Sequence, residues 1–344
     1  TIVVLDHHRQ SSDNIDNAFD KYFEEAKIDK PRAKRMCGYT TWYNYYTSVT
    51  EEIVERDLGA IAKLGSKIDI FQVDDGYERT VGDWLYHDEK KFPSGMKLIA
   101  DNIHKHDMLA GLWLAPFAAT PKSYIYNKHK DWFVKNKNGK IPFASHNWGG
   151  FYALDIYNKE VRQYLKEVFD TVLNVWGYDM VKLDFLYACC IIPFNGKSRG
   201  EIMCDAMDLI RELCGDKLIL GCGVPLAPAF GKVDFCRIGA DMALSWGKKP
   251  FSREVSTKHA LLNTIFRREL DGRAFLNDPD VFLLRDNNIK MSFEQRKLIA
   301  ETASLFGNLL FVSDDVSTYN SNQKDCFINV TTRNKADINY VNMD

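Results

Sequence analysis

The 344-residue sequence predicts an α/β protein built as a (β/α)8 TIM barrel, with a short N-terminal arm and a short C-terminal β-rich tail. Three observations carry this prediction. Short apolar runs recur about eight times, stretches with helical periodicity separate them, and the repeats fill a length typical of a single barrel.

The eight apolar runs are the predicted strands. They lie at residues 36–42, 68–74, 109–117, 179–185, 218–223, 235–239, 274–278 and 308–313. Each is rich in residues that favour strands and is bounded by residues that favour turns. Parallel strands in this order need helices as their connections.

Helical patterns fill the intervals between these runs. In TEEIVERDLGAIAKLG, Thr50 is a predicted helix cap, and Ile53, Leu58 and Leu64 share one face. The stretches NKEVRQYLKEVFDTVLNVWG and SFEQRKLIAETASLFG both end in glycine, a common helix terminator. The resulting division is an arm at 1–34, a catalytic barrel at 35–315, and a tail or truncated β domain at 316–344.

A doubly wound open sheet is the alternative fold. No predicted strand is followed by GxGxxG or by a P-loop, so the sequence carries no nucleotide-binding signal that favours it.

Composition narrows the classes of function. The net charge is −2, with 45% hydrophobic and 13% aromatic residues, which predicts a folded protein without a basic face for nucleic acid or a membrane surface. The eight cysteines lack CxxC pairs and zinc spacing, so we expect reduced thiols, no metal, no cofactor and a cytoplasmic location. The sequence shows no signal peptide, although removal of one from a secreted protein remains open.

The carboxyl ends of the predicted strands carry the candidate site residues. In VKLDFLY, Lys182 and Asp184 are two residues apart, so a strand would point both to one face. The other candidates on this rim are Trp42, Asp74, Asp75, Trp113, Cys222, Arg237 and Asp241. Active sites of barrel enzymes are built at this end, and paired carboxylates with tryptophans are typical of a glycoside hydrolase.

Each pattern also has a structural interpretation. The aspartate pair in VDDGY is compatible with a turn. Lys182 and Asp184 could form a structural ion pair, and so could Arg237 and Asp241. Trp42 and Trp113 are compatible with core packing. Stability alone does not explain why all of them fall at the same ends of successive strands.

The ordered motifs GYTTWYNYY, FQVDDGY, GDWL, FPSGM, GLWLAPF, VKLDFLY and RIGAD resemble those of glycoside hydrolase family 36, the bacterial α-galactosidases. They are more distantly similar to family 27 of the same clan, which contains α-galactosidases and α-N-acetylgalactosaminidases. The resemblance covers residues 38–241. The usual Cys-Ser-Gly-Gly run is replaced by GCGVPLAPAF, and about thirty-five residues precede the first strand where family members carry a large β domain.

The resemblance implies a retaining mechanism on an α-galactoside. Asp184 would be the nucleophile and Asp241 the general acid and base. The sugar-binding residues implied are Trp42, Asp74, Asp75, Trp113, Trp148, Lys182, Cys222 and Arg237, with Lys182 also favouring the ionised form of Asp184.

Several functions remain compatible with these residues. An α-galactosidase acting on oligosaccharides or glycoconjugates is the leading hypothesis. An α-N-acetylgalactosaminidase would need added space near residues 222–225. A transglycosidase would use the same catalytic and sugar-binding residues. A sugar-binding barrel without catalytic activity is the alternative that is not an enzyme. Oligomerisation is compatible with each of them.

Overall fold

The computed structural model describes residues 15–247 and 256–332, in which a curled parallel sheet is surrounded by helices. The strands are β1 Met36–Thr40, β2 Ile70–Val73, β3 Leu109–Leu114, β4 Ala118–Ala119, β5 Phe143–Ser145, β6 Phe151–Ala153, β7 Met180–Leu183, β8 Leu218–Gly221, β9 Phe235–Arg237, β10 Leu276–Asp278, β11 Val281–Phe282 and β12 Leu309–Val312. The α-helices are α1 Ile15–Glu25, α2 Trp42–Tyr45, α3 Glu51–Ile61, α4 Met96–His104, α5 Tyr124–Lys128, α6 Lys159–Asp170, α7 Arg199–Cys214, α8 Thr257–Phe266, α9 Phe293–Phe306 and α10 Ser321–Thr332.

Nine strands form one parallel sheet whose two ends meet. The strand order is β10-β9-β8-β7-β3-β2-β1-β12-β11. Pro279 and Asp280 interrupt the strand pairing between β10 and β11. As a result, β10 pairs with β9, while β11 pairs with β12. A hydrogen bond of 2.9 Å from the Asn308 N–H to the Asn277 carbonyl also links the two ends. The fold is therefore TIM-barrel-like, and the open doubly wound sheet is wrong.

Local signals in the sequence set the helix boundaries. The Thr50 hydroxyl accepts a hydrogen bond from the Ile53 N–H at the start of α3, as predicted. Helices α7 and α9 begin with complete capping boxes at Ser198 and Ser292. Strands β1, β2, β7 and β12 are buried along their whole length, as expected for strands covered by helices on one side and packed inside the ring on the other.

The connection between β8 and β9 lacks an α-helix and contains a single short 3-10 turn, Ala227–Ala229. Helix α1 packs beside this connection. The ring of Phe23 lies 5.2 Å from that of Phe230, and Arg273 forms ion pairs with Asp16 and Asp20. The described part of the N-terminal arm thus covers a side of the sheet that has no helix of its own.

A small antiparallel sheet interrupts the repeat after β3. Its strand order is β4-β6-β5, and the turn between β5 and β6 carries Asn147 and Trp148. The sequence analysis did not predict this insertion, because strands of two or three residues leave too short a pattern to recognise.

The prediction of a β-rich C-terminal tail is wrong for the residues that the structure describes. The tail forms α10, in which Phe327 is buried and the Val330 carbonyl accepts a hydrogen bond from Ser304 of α9. Asn320 and Gln323 bond each other's backbone N–H groups at the helix start. This cap and the packing on the barrel outweigh the strand preference of the β-branched residues. Residues 1–14 of the predicted arm and 333–344 of the predicted tail lie outside the described residues.

None of the helices within the described ranges is long and apolar enough to cross a membrane.

Candidate active site

A cavity of about 240 Å³ opens at the carboxyl ends of the strands. Eight of the ten predicted site residues line it: Trp42, Asp74, Asp75, Trp113, Trp148, Lys182, Asp184 and Asp241. Thr47, Asn147 and Phe185 line it as well, and the sequence analysis did not name them. Cys222 and Arg237 are not among the lining residues.

The Asp74 carboxylate, at the base of this cavity, accepts several hydrogen bonds and forms one ion pair. Its Oδ2 atom lies 2.8 Å from the Lys182 ammonium nitrogen and accepts a hydrogen bond of 2.7 Å from the Gln72 amide. Its Oδ1 atom accepts a hydrogen bond of 3.0 Å from the Asp75 N–H. All four residues are buried, and the bonds fix the carboxylate in one orientation.

Lys182 forms its ion pair with Asp74 and not with its neighbour Asp184. Burial disfavours the charged ammonium group, but the negative charge of Asp74, with a smaller contribution from Asp184, outweighs it and raises the pKa of Lys182. Lys182 is therefore a cation paired with Asp74. The alternative structural interpretation, an ion pair between Lys182 and Asp184, is wrong, although both residues line the same cavity at the end of β7.

Asp184 is held by two N–H donors just beyond the end of β7. The Phe185 N–H donates to Oδ1 at 2.7 Å, and the Trp113 indole donates to Oδ2 at 3.3 Å. Phe185 has a φ of 52°, a left-handed conformation that is uncommon outside glycine. This conformation turns the chain sharply and brings its N–H back onto the Asp184 carboxylate.

Glycine is required opposite this turn. Gly223 has a φ of +55°, and a Cβ atom there would lie 2.8 Å from the Phe185 nitrogen and 3.0 Å from Asp184 Oδ1. Only a residue without a side chain allows the loop after β8 to pack so closely against the carboxylate.

Left-handed backbone conformations also recur elsewhere around the cavity. Tyr46, Trp148 and Asp280 have φ values of 47°, 54° and 80°. Such conformations are often found where a fold positions functional groups. At Trp148, the strained turn places the indole so that it donates a hydrogen bond of 2.8 Å to Asp75 Oδ2.

Arg237 is buried and lies at the centre of a cluster of carboxylates. Its Nε atom lies 3.2 Å from Asp278, its Nη1 atom 3.0 Å from Asp241, and its Nη2 atom 2.7 Å from Asp280. Burial opposes its charge, but Asp280 and Asp278 outweigh this effect and raise the pKa of Arg237. The contact of Arg237 with a sugar hydroxyl stays a prediction, because each terminal nitrogen of the guanidinium keeps one N–H beyond these three bonds.

Asp280 is a partner in this cluster that the sequence analysis missed. It is fully buried, and burial raises its pKa to about 6. Its Oδ2 atom accepts hydrogen bonds from the Tyr43 hydroxyl and, at 2.6 Å, from the Met242 N–H. The Asp-Pro-Asp sequence at the end of the seventh predicted strand was the sequence feature from which Asp280 could have been identified as a candidate. Asp280 thus bonds Tyr43 in the segment after β1, Arg237 on β9, and Met242, the residue after Asp241.

Cys222 lies directly after β8, where its N–H donates to the Leu183 carbonyl at 2.8 Å. Burial, followed by the charge of Asp184, raises the pKa of its thiol, so the side chain is a neutral group. Next to it lies a second cavity, of about 420 Å³. Its lining is Tyr187, Gly223, Val224, Pro225, Leu226, Arg237, Ile238, Gly239 and Arg267.

The described ranges contain no group of three or more His, Cys, Asp or Glu side chains arranged to hold a metal ion.

The fold defines an α/β barrel protein, and its candidate ligand site is the cavity at the carboxyl ends of the parallel strands. The Melibiase family model matches residues 8–197. The chain therefore belongs to the Melibiase family, which confirms the predicted membership of glycoside hydrolase family 36.

Known relatives agree with this assignment. α-Galactosidase Mel36A of Lactobacillus acidophilus is 27% identical over 192 residues, which cover 53% of this chain and 25% of that protein. The A type blood α-D-galactosamine galactosaminidase of Flavonifractor plautii is 30% identical over 139 residues, covering 38% of this chain and 13% of that protein. The alignments thus span about a quarter or less of these two proteins.

Among solved structures, the α-galactosidase TtGalA of Thermus thermophilus in complex with p-nitrophenyl α-D-galactopyranoside superposes with a TM-score of 0.83 at 31% identity. The superposition covers 92% of this chain and 66% of that one. A second TtGalA structure, in complex with stachyose, matches at 30% identity, covers 69% of that chain and gives the same TM-score.

Proposed function

We propose that this chain is a retaining, exo-acting glycoside hydrolase that releases terminal α-linked galactose from oligosaccharides or glycoconjugates. The observation that carries this proposal is the presence of two carboxylates, Asp184 and Asp241, on one cavity whose base is formed by the Asp74–Lys182 ion pair. Membership of the Melibiase family and the similarity to TtGalA support the choice of an α-galactoside as substrate.

Asp184 is the proposed nucleophile. Its two N–H donors, from Phe185 and Trp113, hold the carboxylate in one orientation towards the cavity. It attacks the anomeric carbon of the galactoside, and the bond from that carbon to the leaving oxygen breaks. The product of this step is a covalent glycosyl ester on Asp184.

Asp241 is the proposed acid and base. It gives its proton to the leaving oxygen in the first step, then takes a proton from the water that cleaves the ester. Its side chain is 62% exposed, as suits a group at the cavity mouth where the leaving sugar departs and water enters. Arg237 holds one of its oxygens and thus fixes its position.

The other lining residues are assigned to sugar binding. Asp74, Asp75 and Lys182 offer charged partners for hydroxyl groups, while Trp42, Trp113 and Trp148 offer apolar faces for the ring. No cofactor or metal takes part in the proposed steps. A cytoplasmic location remains a prediction from the thiols.

The test compares hydrolysis of p-nitrophenyl α-galactoside and p-nitrophenyl α-N-acetylgalactosaminide, with Asp184→Ala as the blank. The expected result is turnover of the galactoside, lost in the variant, with the α-anomer of galactose as the first product by NMR. Release of the β-anomer would contradict retention. Binding of galactose without turnover would favour the silent sugar-binding barrel, and transfer to added sugar in place of water would favour a transglycosidase.

An α-N-acetylgalactosaminidase is the second candidate, because residues 223–225 line the 420 Å³ cavity and Gly223 packs against Asp184. The Flavonifractor relative, named as a galactosaminidase, supports it. Faster turnover of the N-acetylgalactosaminide than of the galactoside would decide in its favour.

A further inference from the structure

Glu78 is a buried carboxyl group that the proposed mechanism does not use. It follows Asp75 by three residues, on the loop after β2, and only 8% of its surface is exposed. Its Oε2 atom accepts a hydrogen bond of 3.0 Å from the Gly76 N–H. Its carboxyl group is also in hydrogen-bond contact with the carboxyl group of Asp75.

Two carboxyl groups in contact inside a protein do not both ionise, because like charges so close together in the interior repel each other strongly. The Lys182 ammonium group does not bridge this pair, since it bonds Asp74. One of the two carboxyl groups therefore keeps a proton and donates it to the other.

The surroundings decide which carboxyl group is neutral. Burial raises the pKa of Asp75, but the contact with Glu78, the hydrogen bond from the Trp148 indole and the charge of Lys182 oppose this shift and favour the ionised form. For Glu78, burial followed by the charge of Asp75 raises the pKa of the carboxyl group well above its ordinary value.

One atom of Asp75 supports this assignment. Its Oδ2 atom is satisfied by Trp148, but its buried Oδ1 atom has no donor among the groups that the structure describes. A buried acceptor without a donor costs about 1–3 kcal/mol. A proton on Glu78 provides the missing donor.

We propose that Glu78 is a positioning residue that acts as a neutral carboxylic acid, donating to Asp75 and so fixing the Asp75 carboxylate and the Trp148 indole that line the cavity. The charged and titratable groups around this pair are Asp74, Tyr77, His87, Lys91 and Lys182. Lys91 bonds the Gly76 carbonyl oxygen at 2.8 Å and the Thr47 carbonyl oxygen at 2.7 Å, so its charge is directed at backbone rather than at Glu78.

The direct test is infrared difference spectroscopy at neutral pH, which needs no substrate. The spectrum of the wild type minus that of Glu78→Gln is expected to contain the C=O stretching band of a protonated carboxyl group. Glu78→Met serves as a second variant if Glu78→Gln does not fold. Glu89→Gln is the matched control, because Glu89 is 74% exposed and paired with Arg79, so its difference spectrum should contain ionised carboxylate bands alone. Carboxylate bands at Glu78 as well would overturn the proposal.

The kinetic test rests on the proposed hydrolysis of galactosides. Glu78→Gln keeps a donor and is expected to retain the KM of the wild type, whereas Glu78→Met should raise KM about tenfold, as for a lost hydrogen bond to a charged group. The wild-type KM should rise at alkaline pH as Glu78 ionises and repels Asp75, while the KM of Glu78→Gln should not.

The outcomes of the two tests separate the two proposals. A protonated-carboxyl band without any galactoside turnover would contradict the proposed function and leave the assignment of Glu78 intact. Turnover with equal KM values in Glu78→Gln, Glu78→Met and the wild type would overturn the positioning role, even if both variants lower the melting temperature.

Discussion

Replacing Lys182 with methionine tests whether the ion pair at the base of the cavity is also a structural element. The side chains of Lys182 and Asp74 are 7% and 2% exposed, and their charged atoms lie 2.8 Å apart. Methionine fills a similar volume without the charge. The substitution therefore leaves the Asp74 carboxylate buried without its cation.

The size of the effect follows from what remains around Asp74. Removing one partner of a buried ion pair costs about 3–5 kcal/mol, because the other charge stays buried. Asp74 keeps its hydrogen bonds from the Gln72 amide and the Asp75 N–H, which stabilise the remaining charge. We therefore expect Lys182→Met to lower the free energy of unfolding by about 3 kcal/mol, the lower end of this range. In a chain of 344 residues, that loss lowers the melting temperature by about 4 °C.

Thermal and denaturant unfolding of four proteins measures this loss: the wild type, Lys182→Met, the double variant Lys182→Met/Asp74→Asn, and the control Lys97→Met. The double variant should recover most of the stability, because no uncompensated charge remains, yet it should not recover sugar binding. Lys97 forms an exposed pair with Asp101, so its loss should change the free energy of unfolding by less than about 1 kcal/mol. A Lys182→Met variant as stable as Lys97→Met would refute the reasoning.

Three further predictions concern the carboxylates. Asp184→Asn should abolish turnover of the nitrophenyl galactoside and leave the melting temperature nearly unchanged, whereas parallel losses of both would indicate a structural role. Gly223→Ala should lower kcat at least tenfold by displacing the Asp184 carboxylate, while Gly139→Ala, at a positive φ in open space, should not. Asp280 has a pKa raised from 3.8 to about 6, so its native form binds a proton that the unfolded chain releases. The stability of the wild type relative to Asp280→Asn should therefore fall from about pH 4 to pH 6 and then level off, and a flat difference in denaturant titrations would contradict this.

The repeating pattern of the sequence was sufficient to predict the barrel. All eight apolar runs contain a strand of the sheet, because strands buried on both faces are made of near-continuous apolar residues. The helix at the C-terminus was not predictable in this way, because its β-branched residues favour a strand locally and only the cap at Asn320 and packing on α9 favour a helix.

The candidate site was predictable where the strands alone position the residues. Lys182 and Asp184 reach the cavity because alternate residues at the end of one strand share a face. The partner of Lys182 was not predictable, because Asp74 is 108 residues away in sequence and their contact depends on how β2, β3 and β7 lie side by side. Similarly, Asp278 and Asp280 were not predictable as partners of Arg237, because these contacts depend on the pairing of β9 with β10 and on the break that follows β10.

The interruption between β10 and β11 bears on the order in which the barrel folds. The pairing of β1 with β12 joins Met36 to Leu309, and contacts so distant in sequence form late because a long loop must be closed first. Asp280 lies at the same closure and bonds Arg237 on one side and Tyr43 on the other. A folding intermediate in which β1 to β9 have already assembled would therefore contain Asp74, Lys182 and Asp184 but would lack an anchored Arg237. We therefore expect the proposed acid and base, Asp241, to reach its final position only when the barrel closes.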